Sequence, residues 1–159
     1  MAELPKDLNP ECSSVFFNGV AGNSRIISWE TARKQNRKVF GSIQDTPEYH
    51  SSIVAHEVAH NLYPQIFKSI GKEIERPLTE FVSYVVQIET MKEPEKKAIL
   101  RLWPGNTFES EWGINSIAWA ASPNMFGIMS YHYYLNNPYF MKSVLAGEVQ
   151  SGDRLLILY

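Results

Sequence analysis

A chain of 159 residues, 44% hydrophobic, is long enough for one domain with a sizeable core and too short for two independent ones. Eight Phe, eight Tyr and four Trp supply apolar surface that excludes a disordered chain. A net charge of −2, without any Lys/Arg block, gives no electrostatic footing for nucleic acid or for an anionic membrane surface.

The start of the chain is punctuated by Pro5 and Pro10, and residues 1–13 read as an extended lead-in to a single domain spanning 1–159. It lacks the apolar core of a secretory signal, so the expected compartment is cytoplasmic, or periplasmic or secreted if a leader has been removed. The lone Cys12 excludes an intrachain disulfide framework. No stretch approaches the roughly 18 apolar residues of a membrane span. Val15-Phe16-Phe17 and Arg25-Ile26-Ile27-Ser28-Trp29 flank a turn-rich stretch holding Gly19 and Gly22, the pattern of a small β-hairpin. Residues 31–40 are charged and ambiguous, with a short helix as one reading.

Residues 47–69 are the strongest helical segment. Thr46 suits the N-cap and Pro47 the first helical position, and Ile53, Val54, Val58 and Leu62 recur at helical spacing. Pro64 deletes a backbone hydrogen bond and crowds the His60 carbonyl, so a kink or an end is expected near Tyr63. A second helix is expected over 77–91, a third over 94–103, and residues 112–147 read as helical with breaks at Ser122-Pro123 and Asn136-Asn137-Pro138. The apolar tail 154–159 suits a strand or a packed extension. One short β unit followed by helices gives an α+β class, mostly helical.

His56-Glu57-Val58-Ala59-His60 is an H-E-x-x-H motif inside the strongest helix. Residues four apart lie one turn above each other, so both imidazoles can reach one Zn²⁺. Glu57 then points its carboxylate beside the metal, where it can take a proton from a water that zinc has acidified. The chain has only four histidines, which makes a chance match improbable, and the flanking residues 53–55, 58, 59, 61 and 62 carry no charge.

Tyr63 and Ile66 stand where a metzincin would need Gly and His. The downstream acidic candidates are Glu73, Glu75, Glu80 and Glu89, of which Glu73 and Glu75 sit in a charged stretch that reads as solvated surface. Glu80 lies in the first turn of an apolar helix, where an unpaired charge is expensive to bury; helix N-terminal placement is the competing explanation.

The H-E-x-x-H helix followed by Glu80 resembles the gluzincin arrangement of thermolysin-type zinc peptidases, down to the gap before the glutamate. Residues 52–60 and 80–87 more specifically resemble a family of small, uncharacterised bacterial HExxH proteins of gluzincin type. The similarity continues through residues 126–132 and covers about 15–147. It implies a minimal zincin fold and a zinc-dependent peptidase acting on peptide or protein substrates. Thermolysin-like enzymes carry an aspartate four residues after the glutamate; here that position is Tyr84, with Ser83 beside it. Either hydroxyl can orient an imidazole, but neither is an anion.

Peptide hydrolysis also wants an oxyanion donor, for which Tyr131 and His132 are the candidates; an aromatic helix packed on the core is the alternative. His50, six residues before His56, reads as a helix-surface residue. Trp103, Trp112 and Trp119 read as core or cleft wall, and the N-terminal strands as either a substrate-binding edge or a plain cover over the helices. Two other functions compete with the peptidase. One is a zincin-fold zinc-binding or interaction protein without proteolytic activity; the other is a metal-dependent hydrolase of non-peptide substrates. Only 92–159 remain to wall a cleft, so a shallow, open site is expected.

Overall fold

In a computed structural model the protein is described at residues 15–18, 23–26, 28–36, 38–40 and 43–153. The lead-in 1–13 and the tail 154–159 lie outside these residues. The described chain is mostly helical: α1 (Trp29–Lys34), α2 (Pro47–Ser69), α3 (Arg76–Glu89), α4 (Glu93–Leu100), α5 (Ser116–Ala121), α6 (Pro123–Asn136) and α7 (Phe140–Leu145). Two short antiparallel pairings precede α2. β1 (Val15–Asn18) runs against β2 (Asn23–Ile26) with Val15 opposite Ile26, and β3 (Lys38–Val39) against β4 (Ile43–Gln44).

Local chemistry explains the boundaries. Thr46 Oγ1 accepts from the Tyr49 amide at 3.3 Å, with Pro47 opening α2. Asn115 caps α5 through the Ala118 amide at 2.8 Å, and Ser122 caps α6 through the Met125 amide at 3.4 Å. The break expected at Ser122-Pro123 thus falls between α5 and α6, and the one at 136–138 between α6 and α7. Residues 31–40 hold the end of α1 followed by β3.

Pro64 neither ends nor shortens α2, which runs unbroken to Ser69. The ring lies on an exposed side of the helix, where water can satisfy the carbonyl it orphans. The buried face of α2 also differs from the one its apolar periodicity suggests. Val58 and Leu62 are about half exposed, and the buried residues are Tyr49, His50, Ser52, His56, Ala59 and Phe67. The imidazoles, rather than the aliphatic stripe, are turned inward.

The core centres on α3, which packs most extensively on α2 and then on α6. Phe81, Val82 and Ile88 are fully buried, and the Phe81 ring meets Phe140 edge-on at 5.2 Å and Tyr133 at 6.4 Å. Phe108 and Phe126 extend this aromatic layer at 5.3 Å. With α3 held on both sides, its polar positions Glu80, Ser83 and Gln87 are carried into the interior. No described helix is long and apolar enough to cross a membrane.

Candidate metal centre

Helices α2 and α3 lie side by side, and the turn-and-a-bit spacing of α2 stacks His56 over His60 opposite Glu80. His56 Nε2 and His60 Nε2 are 3.0 Å apart, His60 Nε2 is 3.2 Å from Glu80 Oε2, and His56 Nε2 is 3.7 Å from the same oxygen. Glu80 and His56 are buried and His60 is half-buried. Three donor atoms from two helices therefore converge on one point.

The donor set fits a divalent transition metal. Ligands held at about 2.0–2.1 Å in a tetrahedron stand roughly 3.4 Å from one another, and the three observed separations bracket that figure. Two imidazoles and one carboxylate are donors that several such metals accept. Placing an exposed carboxylate here would mean little, but Glu80 is 6% exposed and needs such a partner.

Electrostatics prepare the same arrangement. Burial, followed by the neighbouring His60, holds the His56 imidazole well below its usual pKa, so it stays neutral. Glu57, one residue on, is half-buried. Burial is the main cause that lifts its carboxyl to about 7; the Glu80 charge adds to the rise and His60 opposes it. A carboxylate that exchanges a proton near neutrality thus stands beside the trio.

Packing fixes the His56 ring. Tyr84 meets it edge-on at 4.5 Å between centroids and 69° between planes, and is itself flanked by Phe40 and Phe126 at 6.2 Å. Gly127 on α6 provides the space: a Cβ there would fall 2.7 Å from Tyr84 Cε1 and closer still to Cδ1. Tyr84 thus steadies the imidazole by ring contact. The Ser83 hydroxyl, the other candidate for orienting it, is buried without a hydrogen-bond partner. On the outer side, Arg76 Nε lies 3.9 Å from Glu80 Oε1, and its guanidinium stacks over Trp119 at 4.2 Å.

The remaining expected residues, Tyr131 and His132, are carried by α6. The Tyr131 hydroxyl donates to Glu89 Oε1 at 2.8 Å. Glu89 is nine residues beyond Glu80, about 13 Å along α3 at 1.5 Å per residue. His132 Nε2 is buried without a hydrogen-bond partner, and no hydrogen bond joins either ring to His56, Glu57, His60 or Glu80. The Tyr131 hydroxyl is therefore engaged by Glu89 and not by the trio. Its sequence cluster displays the right chemistry, but helical rotation sends Tyr131 to the far end of α3.

His50 is not a surface residue: it is 8% exposed, with Nδ1 3.3 Å from Asp45 Oδ2. That pairing lets a polar ring be buried on the first turn of α2. Glu75 is half-buried, and its carboxylate accepts from the Ser151 amide at 2.6 Å. Trp103 and Trp119 are half-buried, whereas Trp112 is 40% exposed and forms no part of the core. Two residues of the site escaped the sequence reading. Gln87 is buried two turns after Glu80 and three residues after Tyr84, whose ring touches His56, and Arg76 stands one turn before Glu80.

Fold and site together describe a mostly helical protein with a buried two-histidine, one-carboxylate cluster. The chain belongs to a family of unknown function, DUF6639, matched over residues 2–155. No curated protein and no solved structure matches it.

Proposed function

We propose that the protein is a small gluzincin-like metallopeptidase, in which His56, His60 and Glu80 hold a zinc ion in a single minimal zincin domain fronted by an N-terminal β-hairpin. The observation that carries this reading is the convergence of the three donor atoms with a near-neutral carboxyl beside them. Bound there, zinc would supply a Lewis acid that polarises a peptide carbonyl and lowers the pKa of a water. The chain's own residues do the rest. Glu57 takes the proton of the attacking water on its carboxylate and passes it to the nitrogen of the departing amine. Burial raises the Glu57 carboxyl, and a bound dication would favour its ionised form, the one a base needs. His56 stays neutral and keeps its Nε2 lone pair for the metal, and the Tyr84 ring prevents it from turning away.

The test is metal content together with cleavage of a broad peptide library. Wild type should carry zinc and cleave; Glu57→Ala should carry zinc and fail to cleave. A wild type without zinc, or equal cleavage by both proteins, would sink the proposal.

A second reading, a zinc-holding zincin scaffold without proteolytic activity, is favoured by one observation. Tyr131, one of the two expected oxyanion donors, is engaged by Glu89. On that reading the wild type binds zinc and cleaves nothing in the same library.

A further inference from the structure

The hydrogen-bond pattern of the trio fixes where its protons are. Glu80 Oε2 and His56 Nε2 both lie within 3.2 Å of His60 Nε2, and a carboxylate can only accept. One proton on His60 Nε2 satisfies both neighbours as a forked donor. His56 Nε2 must then accept, and an imidazole whose Nε2 accepts carries its proton on Nδ1. That Nδ1 is buried and reaches no partner at full hydrogen-bond geometry. α3 lays Tyr84 against this ring, and the two acceptors nearest along that helix are the Ser83 carbonyl beside it and the Gln87 side chain one turn on.

Of the two, the Ser83 carbonyl belongs to the interior of α3, where the helix already claims it. The Gln87 side chain stands outside that ladder. It is 5% exposed, and it sits seven residues after Glu80, so both project from the same face of α3 toward α2. A buried glutamine needs a polar partner, just as the buried Nδ1–H does.

We infer that Gln87 is a positioning residue for the metal centre: its side-chain oxygen accepts the His56 Nδ1 proton and so presents Nε2 as the ligating lone pair. This rests on the metal-centre reading above. A neutral amide in this role, rather than a carboxylate, leaves the imidazole less basic and the cluster less negatively charged. The inward placement of Gln87 also accounts for Tyr84 serving as a ring contact: the acceptor comes from the next turn of α3.

The experiment measures the His56 tautomer in the metal-free full-length chain by long-range ¹H–¹⁵N correlation, together with Zn²⁺ affinity by chelator competition. Wild type should show the Nδ1–H tautomer at His56. Gln87→Leu should shift it toward a mixture and weaken zinc by about 10–100-fold. Gln87→Glu, which keeps an acceptor at the same reach, should restore both. If Gln87→Leu fails to fold, Gln87→Asn, with its oxygen withdrawn by one methylene, takes its place. An Nε2–H tautomer in wild type overturns the inference, as does an unchanged tautomer with zinc affinity within twofold in the variants. The tautomer is read without metal, so it judges Gln87 separately. Failure of the metal-centre reading shows instead as zinc binding that is indifferent to His60→Ala and Glu80→Ala.

Discussion

Gly127→Ala perturbs the centre from a helix that contributes no ligand. The added methyl would sit 2.7 Å from Tyr84 Cε1 and 2.8 Å from Cγ, inside the contact distance of any real carbon pair. The ring cannot simply swing aside, because His56, Phe40 and Phe126 surround it. Two effects oppose each other. Replacing glycine by alanine in a helix gains about 1 kcal/mol of backbone propensity. Overpacking a buried site costs about 1–3 kcal/mol, and contact with three ring atoms at once puts this site at the upper end. The expected net loss is about 1–2 kcal/mol, a fall in Tm of roughly 2–8 °C at this chain length. The assay is urea and thermal unfolding of the metal-free protein in a double-mutant cycle with Tyr84→Ala. In the Tyr84→Ala background the collision partner is gone, so Gly127→Ala should become neutral or stabilising. Equal costs in both backgrounds would refute the claim that Gly127 exists to seat Tyr84.

Two further predictions concern residues outside the trio. Tyr131→Phe removes the hydroxyl donated to Glu89 at 2.8 Å, a charge-assisted bond, and should cost about 1–3 kcal/mol of stability while leaving zinc content unchanged; loss of zinc in that variant would put Tyr131 back at the centre. Burial lowers the His132 pKa, so between its folded value and 6.5 the unfolded chain holds a proton that the folded chain does not. Its contribution to stability therefore rises with pH through that window and is level above 6.5. Relative to wild type, His132→Leu should lose this acid-side penalty. Urea unfolding from pH 5 to 7.5 should show a wild-type-minus-variant difference that shrinks toward pH 6.5 and then stays constant; a difference independent of pH would count against the assignment.

Much of the centre was legible because it is written in local chemistry. Thr46-Pro47 and Ser122-Pro123 announce helix starts through groups that accept backbone protons or lack them, and the structure uses both. The His56–His60 spacing needs only a helix to become a shared face. Glu80 stood out as a carboxylate in the first turn of an apolar helix, and the packing of α3 on α2 carries it to the two imidazoles.

What stayed hidden depends on which way a helix is turned. Val58 and Leu62 have the period of a buried stripe, yet α2 buries its histidines, because the carboxylate of α3 rewards that rotation and the aliphatic residues face away from it. His50 looked superficial until Asp45, from the loop before α2, supplied its partner. Tyr131 and His132 carry suitable groups, but the α3–α6 crossing, which a sequence does not encode locally, delivers the Tyr131 hydroxyl to Glu89. Gln87 left a signal that could have been used: a lone amide among Val85, Val86 and Ile88, in phase with Glu80.

The most direct test of the central claim is the zinc stoichiometry and affinity of the full chain, compared with His60→Ala and Glu80→Ala. One Zn²⁺ per chain is expected in wild type, with affinity lost by orders of magnitude in each variant, since each removes one of three converging donors. A wild type that retains no zinc, or variants that bind it as tightly as wild type, would contradict the assignment of His56, His60 and Glu80 as a metal centre.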